Sequence, residues 1–272
     1  MDAEPLWTLV TVTYNSAPEL RRWWDGLPRD GCRWVVVDNA STDDSVATAR
    51  SLGAEVIALD RNVGFSAANN VALAAATTEW VAFVNPDIAV DVTTLPRLAA
   101  LAAEHGAIVA PQLVDPDGSI QANGRGLPFL ADKLAHRGVR LPGSDVAQYL
   151  PDTAGRATYV AWVMGAAVCA RRETFLRIGG WDERYFLYYE DHELGLAAWE
   201  RGVPVLVDGT VSWTHEWKRA TTRWEWAPWK REIRGAMTFF RRHPVLLGPR
   251  ARAARQPWVA RIGATATPGG GA

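Results

Sequence analysis

Short apolar, β-branched runs alternate with small-residue helical stretches through the first half of the chain, the pattern of a parallel sheet covered by helices. Residues 6–13, 34–37, 56–59 and 80–84 read as strands. Residues 18–27, 43–52 and 66–77 read as helices between them, the second opened by the candidate caps Ser41 and Thr42. A doubly wound α/β sheet follows, and in such sheets ligands bind beyond the carboxyl ends of the strands. Further along, 107–110 reads as a strand and Asp115-Pro116-Asp117-Gly118 as the turn of a hairpin, so the sheet becomes mixed. Residues 122–156, rich in Gly, Pro and Arg, have no clean period and read as a long, poorly ordered loop of the kind that covers active sites. Order returns over 158–170, followed by helices over 171–178 and 190–201, the latter closed by Gly202. Two short strands near Val205 and Val211, a helix over 222–243 and a flexible basic tail complete the expected order.

Composition narrows the class. The 272 residues, 48% hydrophobic and 22% charged, suit one large globular unit and exclude wholesale disorder, collagen and coiled coil. The longest uncharged apolar run, 159–170, is 12 residues, against roughly 20 for a bilayer-spanning helix. Met1-Asp2-Ala3-Glu4-Pro5 has neither the basic nor the apolar region of a secretory signal, so the expected location is cytoplasmic. Cys32 and Cys169 have no CxxC spacing and read as reduced core thiols. The net charge of −1 conceals a gradient: residues 1–216 hold 17 Lys/Arg against 28 Asp/Glu, and residues 217–261 hold 12 against 2. A basic end of this kind is either a solvated face or a surface for an anionic partner. No nucleic-acid-binding module accompanies it, so nucleic acid is not an expected partner.

Polar residues cluster where the strands end. Asp87, in Asn85-Pro86-Asp87 after the strand 80–84, can hold a Mg2+ or Mn2+ ion, although Asn-Pro-Asp is also ordinary turn punctuation. Asp38, followed by Asn39, lies too early to cap the next helix and can accept hydrogen bonds from a base or ribose. Gly64 allows close backbone approach to a flat ligand. Asp191, after the aromatic run Tyr185-Phe186-Leu187-Tyr188-Tyr189, is a candidate general base; acids at a helix start are equally favoured by the macrodipole. His215, at a strand end, can complete a metal site or contact phosphate. The first strand is followed by neither GxGxxG nor GxxxxGK[ST], which disfavours a dinucleotide oxidoreductase and a P-loop NTPase.

In order, TVTYNS (11–16), VVVDNASTD (35–43), RNVGFSAANN (61–70), FVNPD (83–87), WVMGAAVCARRETF (162–175), GGWDERYFLYYEDHEL (179–194) and VSWTH (211–215) resemble a family 2 glycosyltransferase, nearest its rhamnosyltransferase-like branch. The resemblance implies a GT-A fold: a Rossmann-like, mostly parallel sheet flanked by helices, with a smaller mixed acceptor-side part and a C-terminal helix. It implies a nucleotide-sugar-binding half over 1–110, an acceptor-side and catalytic half over 111–216, and a basic, Trp-rich helix and tail over 217–272. It implies an inverting enzyme with a divalent cation. On this pattern Thr13, Tyr14, Asn15, Asp38, Asn39, Gly64, Asn70, Asn85 and Asp87 bind the donor, Asp87 and His215 hold the metal, and Asp191 is the base with Glu190 beside it. Trp162, Gly165, Ala166, Trp181 and Asp182 are the acceptor-side positions. The usual Asp-x-Asp is replaced by Asn85-Pro86-Asp87, and an Arg that many relatives carry one turn after the acidic motif is missing after Glu190-Asp191-His192-Glu193.

The implied donor is a dTDP-sugar, with rhamnose the leading sugar and UDP- or GDP-sugars as alternatives; the acceptor is a glycan, a lipid-linked sugar or a small molecule. A silent nucleotide-sugar- or glycan-binding protein and a sugar nucleotidyltransferase are the competing readings. Trp213, Trp217, Trp224, Trp226 and Trp229, interleaved with Lys218, Arg219, Arg223, Lys230 and Arg231, suit sugar stacking, a bulky acceptor or peripheral contact at the inner membrane face, and equally a core role or packing in a homodimer through the C-terminal helix.

Overall fold

The computed structural model describes residues 6–27, 31–139, 141–216 and 226–267. β1 (Trp7–Thr13), β2 (Cys32–Asp38), β3 (Glu55–Ala58) and β4 (Trp80–Val84) alternate with α1 (Ala17–Trp23), α2 (Ser45–Ser51) and α3 (Phe65–Ala75), as the pattern predicts. β1 pairs in parallel with both β2 and β4, and β2 with β3. Parallel pairing through these β-α-β connections carries the ends of β1, β2 and β4 to one edge of the sheet. Next come β5 (Ile88–Ala89), α4 (Leu95–His105), β6 (Ile108–Val114), β7 (Gly124–Arg125), α5 (Leu130–His136), α6 (Val146–Tyr149), β8 (Ala157–Tyr159), β9 (Trp162–Val163) and β10 (Ala167–Arg171). α7 (Arg172–Ile178), α8 (Glu190–Glu200), β11 (Val205–His215), α9 (Trp226–Arg242) and α10 (Arg250–Ala253) end the described elements.

Among the described residues, nine strands form one mixed sheet in the order β3-β2-β1-β4-β10-β6-β11-β5, with β8 also on β11. β10 runs antiparallel to β4 and β6, while β6 and β11 are parallel. The sheet buries Trp34, Val36, Val37, Val81, Ala82 and Phe83, and Trp24 stacks on Trp34 at 4.6 Å and 4°. β4 is buried at every position, as expected of a central strand covered on both faces.

Several expectations are corrected. α4 has no counterpart in the sequence reading, although Pro96 in its first turn and Gly106 at φ 58° after its end are ordinary start and stop signals. The hairpin at 115–118 shrinks to a single bridge between Val114 and Ile120. The loop expected over 122–156 contains α5 and α6, which pack together. They lack a legible period because their partners are distant: buried Asp132 of α5 bonds Arg250 of α10 at 2.5 Å. The two strands near Val205 and Val211 are one strand with a register shift between Asp208 and Ser212. The expected tail folds back through 267: Trp258 stacks on Trp199 at 5.3 Å, and Arg261 lies 4.2 Å over the Tyr159 ring. Of the tryptophan cluster, Trp213 is core and donates from Nε1 to Thr94 Oγ1 at 3.0 Å; Trp217 and Trp224 lie outside the described residues.

Candidate active site

The ends of β1, β2 and β4 open into a cleft of about 420 Å3. It is lined by Tyr14, Asn39, Gly64, Asn85, Asp87, Gly165, Ala166, Glu190, Asp191 and His215, residues from seven separate stretches of the chain. Met164, Phe186, Tyr188 and Arg231 complete much of the wall.

The Asp87 side is built by main-chain bonds. Asn85 N–H donates to Ala166 O at 2.8 Å, Trp24 Nε1–H to Pro86 O at 3.1 Å, and Glu216 N–H to Asp87 O at 3.0 Å. The short β5 pairs with the end of β11, His215 opposite Ile88, and so brings His215 Nε2 within 3.6 Å of Asp87 Oδ1. Gln121 Nε2 donates to Asp115 Oδ1 and His215 O, so its Oε1 accepts from His215 Nδ1 at 2.8 Å. That makes Nδ1 the protonated nitrogen and turns the Nε2 lone pair toward Asp87. Burial holds the imidazole neutral, depressing it to about 4 against the opposing charge of Asp115. A neutral imidazole and a carboxylate facing one gap are a suitable pair for a divalent cation. Among the described residues no group of three or more such ligands exists, so phosphate oxygens and water would complete the shell.

The Asp191 side is an elbow. Tyr188 and Tyr189 have φ of 70° and 73°, left-handed conformations that non-glycine residues adopt at a cost of order 1 kcal/mol or more each. They deliver Glu190 and Asp191 to the first turn of α8, where the helix dipole favours negative charge. Burial first, and then the neighbouring Asp191 charge, raise the Glu190 carboxyl well above its ordinary range. Burial alone would raise Asp191 too, but His192 and the charge of Lys133 pull it below its ordinary value. Its Oδ1 accepts from His192 N at 2.8 Å and from Nδ1 at 2.6 Å, and its Oδ2 accepts from Gly165 N at 3.4 Å. The surroundings therefore push the two adjacent acids in opposite directions.

The expected site residues Asp38, Asn15, Asn39 and Asn70 are tied to neighbouring loops by hydrogen bonds, and of them only Asn39 borders the cleft. Asp38 is buried, and its oxygens accept from Thr13 Oγ1, Ser41 Oγ and Ser41 N, which braces the ends of β1 and β2. Asn15, at φ 55°, accepts from Thr42 N and Oγ1, and Asn39 ties the 62–64 loop through Val63 N and Gly64 O. Asn70 does not border the cleft. Its amide bonds Trp181 O, Trp181 N and Glu183 Oε1, clamping α3 to the 179–183 loop. Trp181 is core, edge-on to Phe65 and Phe83; Trp162 stacks on His192 at 3.6 Å; and Asp182 pairs with Arg184. Of the five acceptor-side residues, only Gly165 and Ala166 line the cleft. Lys133, 2.6 Å from His192 Nε2, carries no local sequence signal, because it lies in 122–156, where the chain has no clean period.

The glycosyl transferase family 2 model matches residues 8–161. The chain is 28% identical over 216 residues to the N-acetylglucosaminyl-diphospho-decaprenol L-rhamnosyltransferase of Mycobacterium tuberculosis, covering 69% of this chain and 68% of that one. The pre-mycofactocin glycosyltransferase of the same organism is 31% identical over 188 residues, 65% of this chain and 35% of that one. Among solved structures, the mannosyltransferase PcManGT of Pyrobaculum calidifontis, in complex with GDP-Man and Mn2+, matches with a TM-score of 0.53 and 21% identity over 80% of this chain and 59% of that one. GalNAc-T7 with UDP, GalNAc and Mn2+ matches with a TM-score of 0.57 and 15% identity, covering 78% of this chain and 44% of that one. At these identities the solved structures establish a shared GT-A fold.

Proposed function

The chain belongs to glycosyl transferase family 2, and on that premise we propose that it is an inverting glycosyltransferase that moves a sugar from a nucleotide-sugar donor to an acceptor hydroxyl with the help of Mg2+ or Mn2+. The observation that carries this reading is that Asp87 with His215, and Asp191 with Glu190, line a single cleft. Asp87 and His215 would hold the cation, which when bound neutralises charge on a diphosphate leaving group. Asp191, kept ionised by its hydrogen bonds, accepts the proton of the acceptor hydroxyl as that oxygen attacks the anomeric carbon. The bond to the donor phosphate breaks on the opposite face, so one displacement inverts configuration. Glu190, whose burial favours the protonated form, can then donate a hydrogen bond to a sugar hydroxyl or the acceptor.

Residues 1–110 supply the donor half of the cleft and 111–216 most of the acceptor half, with Arg231 of α9 reaching its rim. A dTDP-deoxyhexose, rhamnose first, is the favoured donor, and a lipid-linked diphosphate sugar a fitting acceptor; the mycobacterial relative named as a decaprenol-linked rhamnosyltransferase supports rhamnose and the lipid-linked acceptor. Among the described residues no helix is long and apolar enough to cross a membrane.

A thermal-shift panel of dTDP, UDP and GDP, each with and without Mn2+, tests the proposal. One nucleotide should raise Tm in a Mn2+-dependent way, and Asp87→Ala should abolish the Mn2+ increment. A panel without any shift, or an unchanged increment in the variant, sinks the metal-assisted reading.

A further inference from the structure

α5 carries a cation to the back of the carboxylate that serves as base. Lys133 Nζ lies 2.6 Å from His192 Nε2, and His192 Nδ1 lies 2.6 Å from Asp191 Oδ1. The ring is fixed between Trp162, stacked at 3.6 Å and 22°, and Tyr189, at 4.7 Å and 31°, with Phe239 edge-on at 5.6 Å. A lysine ammonium has only donors, so His192 Nε2 accepts and its proton must sit on Nδ1, which donates to Asp191. Burial and Lys133 hold the imidazole neutral, depressing it to about 4, which agrees with a single ring proton. Both His192 bonds fall on Oδ1; Oδ2, with only the longer Gly165 bond, is the oxygen left for an incoming hydroxyl.

We propose that Lys133 is the positioning residue for Asp191: acting through His192, it selects the Nδ1–H tautomer, turns Oδ2 to the acceptor, and couples its own charge to the basicity of that carboxylate. This rests on the assignment of Asp191 as base. The amine is placed to change charge in the working range of the enzyme. Burial depresses it to about 7, Asp191 and Glu232 oppose that shift, and Arg137 and Arg125 reinforce it. The Tyr189 ring lies 4.0 Å beneath Nζ, and Arg137, the residue that follows α5, is itself paired with Glu232 of α9. Asp132, the one acid of α5, is engaged by Arg250. Below pH 7 the ammonium stabilises the Asp191 anion and weakens the base. Above it the neutral amine still donates to Nε2, so the geometry persists while Asp191 becomes more basic. In the transfer step the acceptor O–H bond breaks, its proton passes to Oδ2, and the sugar–phosphate electron pair leaves with the nucleotide; His192 and Lys133 keep their protons.

Long-range proton–nitrogen NMR on the full chain with 15N-labelled histidine tests this, with His192 identified by His192→Gln. The expected result is a neutral Nδ1–H His192 between about pH 5.5 and 8.5, whose resonances shift with a midpoint near 7 and stop shifting in Lys133→Met. An Nε2–H tautomer, or no midpoint near 7 in the unaltered protein, overturns the proposal. With the donor found by the nucleotide panel, Lys133→Met should lower kcat roughly tenfold and remove the inflection near pH 7, with donor KM unchanged. An unchanged pH profile overturns the coupling. Inactivity on every nucleotide sugar would instead sink the transferase reading and leave the NMR result standing.

Discussion

At the scale of single residues, the division of labour between Glu190 and Asp191 follows from their surroundings rather than their chemistry. Asp191 has two donors on Oδ1, whereas Glu190 Oε2 has no hydrogen-bond partner among the described residues. Asp191→Asn keeps the shape but cannot take a proton. It should lower kcat by about 100- to 10,000-fold while leaving the nucleotide thermal shift intact, and normal turnover would remove Asp191 as base. Gly64 illustrates a residue whose site position was legible but whose reason was not. Its φ of 91° requires glycine, and a Cβ there would lie 2.7 Å from Phe186 O, so it serves the closure of α3 against the aromatic turn.

At the scale of elements, α8 is steadied by α9 through Glu193. Its carboxylate accepts from Tyr185 Oη at 3.0 Å, His243 Nε2 at 2.9 Å and Arg242 Nη2 at 3.1 Å. Burial would raise it, but His243, Tyr185 and Arg242 prevail and hold it at about 2, down from 4.5. A depressed carboxylate stabilises the fold fully above its unfolded value and loses that contribution as pH falls through its folded one. Glu193→Gln should therefore cost about 3 kcal/mol in urea unfolding at pH 7, and the difference from the unaltered protein should shrink as pH falls from 4.5 toward 2. A difference independent of pH would contradict this. α9 also approaches the strained elbow closely enough that a Cβ on Gly235 would meet Tyr188 O at 2.8 Å, so packing from a distant helix helps hold Glu190 and Asp191 in place.

At the scale of the molecule, the C-terminal segment closes over α5 and α6. Arg250 reaches Asp132 at 2.5 Å and Gln148 Oε1 at 2.9 Å, and Asp132 also accepts from Asp145 N at 2.7 Å. Removing the cation leaves a buried carboxylate short of a partner. Arg250→Ala should destabilise by about 3 kcal/mol, read as a lower denaturation midpoint; loss within about 0.5 kcal/mol would mean the segment is not integral to the fold.

The sequence by itself determined the alternation of strands and helices through β4, because hydrophobic period and local caps are short-range signals. It likewise exposed Asp87, Asp191 and His215, which sit at strand and helix ends within recognisable motifs. Only the tertiary structure decided that Asn70 and Trp181 brace the wall, that 122–156 folds into α5 and α6, and that Lys133 reaches His192. Those roles depend on partners 59 to 118 residues away, such as His192 for Lys133 and Arg250 for Asp132, and a contact at that separation leaves no periodic trace in either segment.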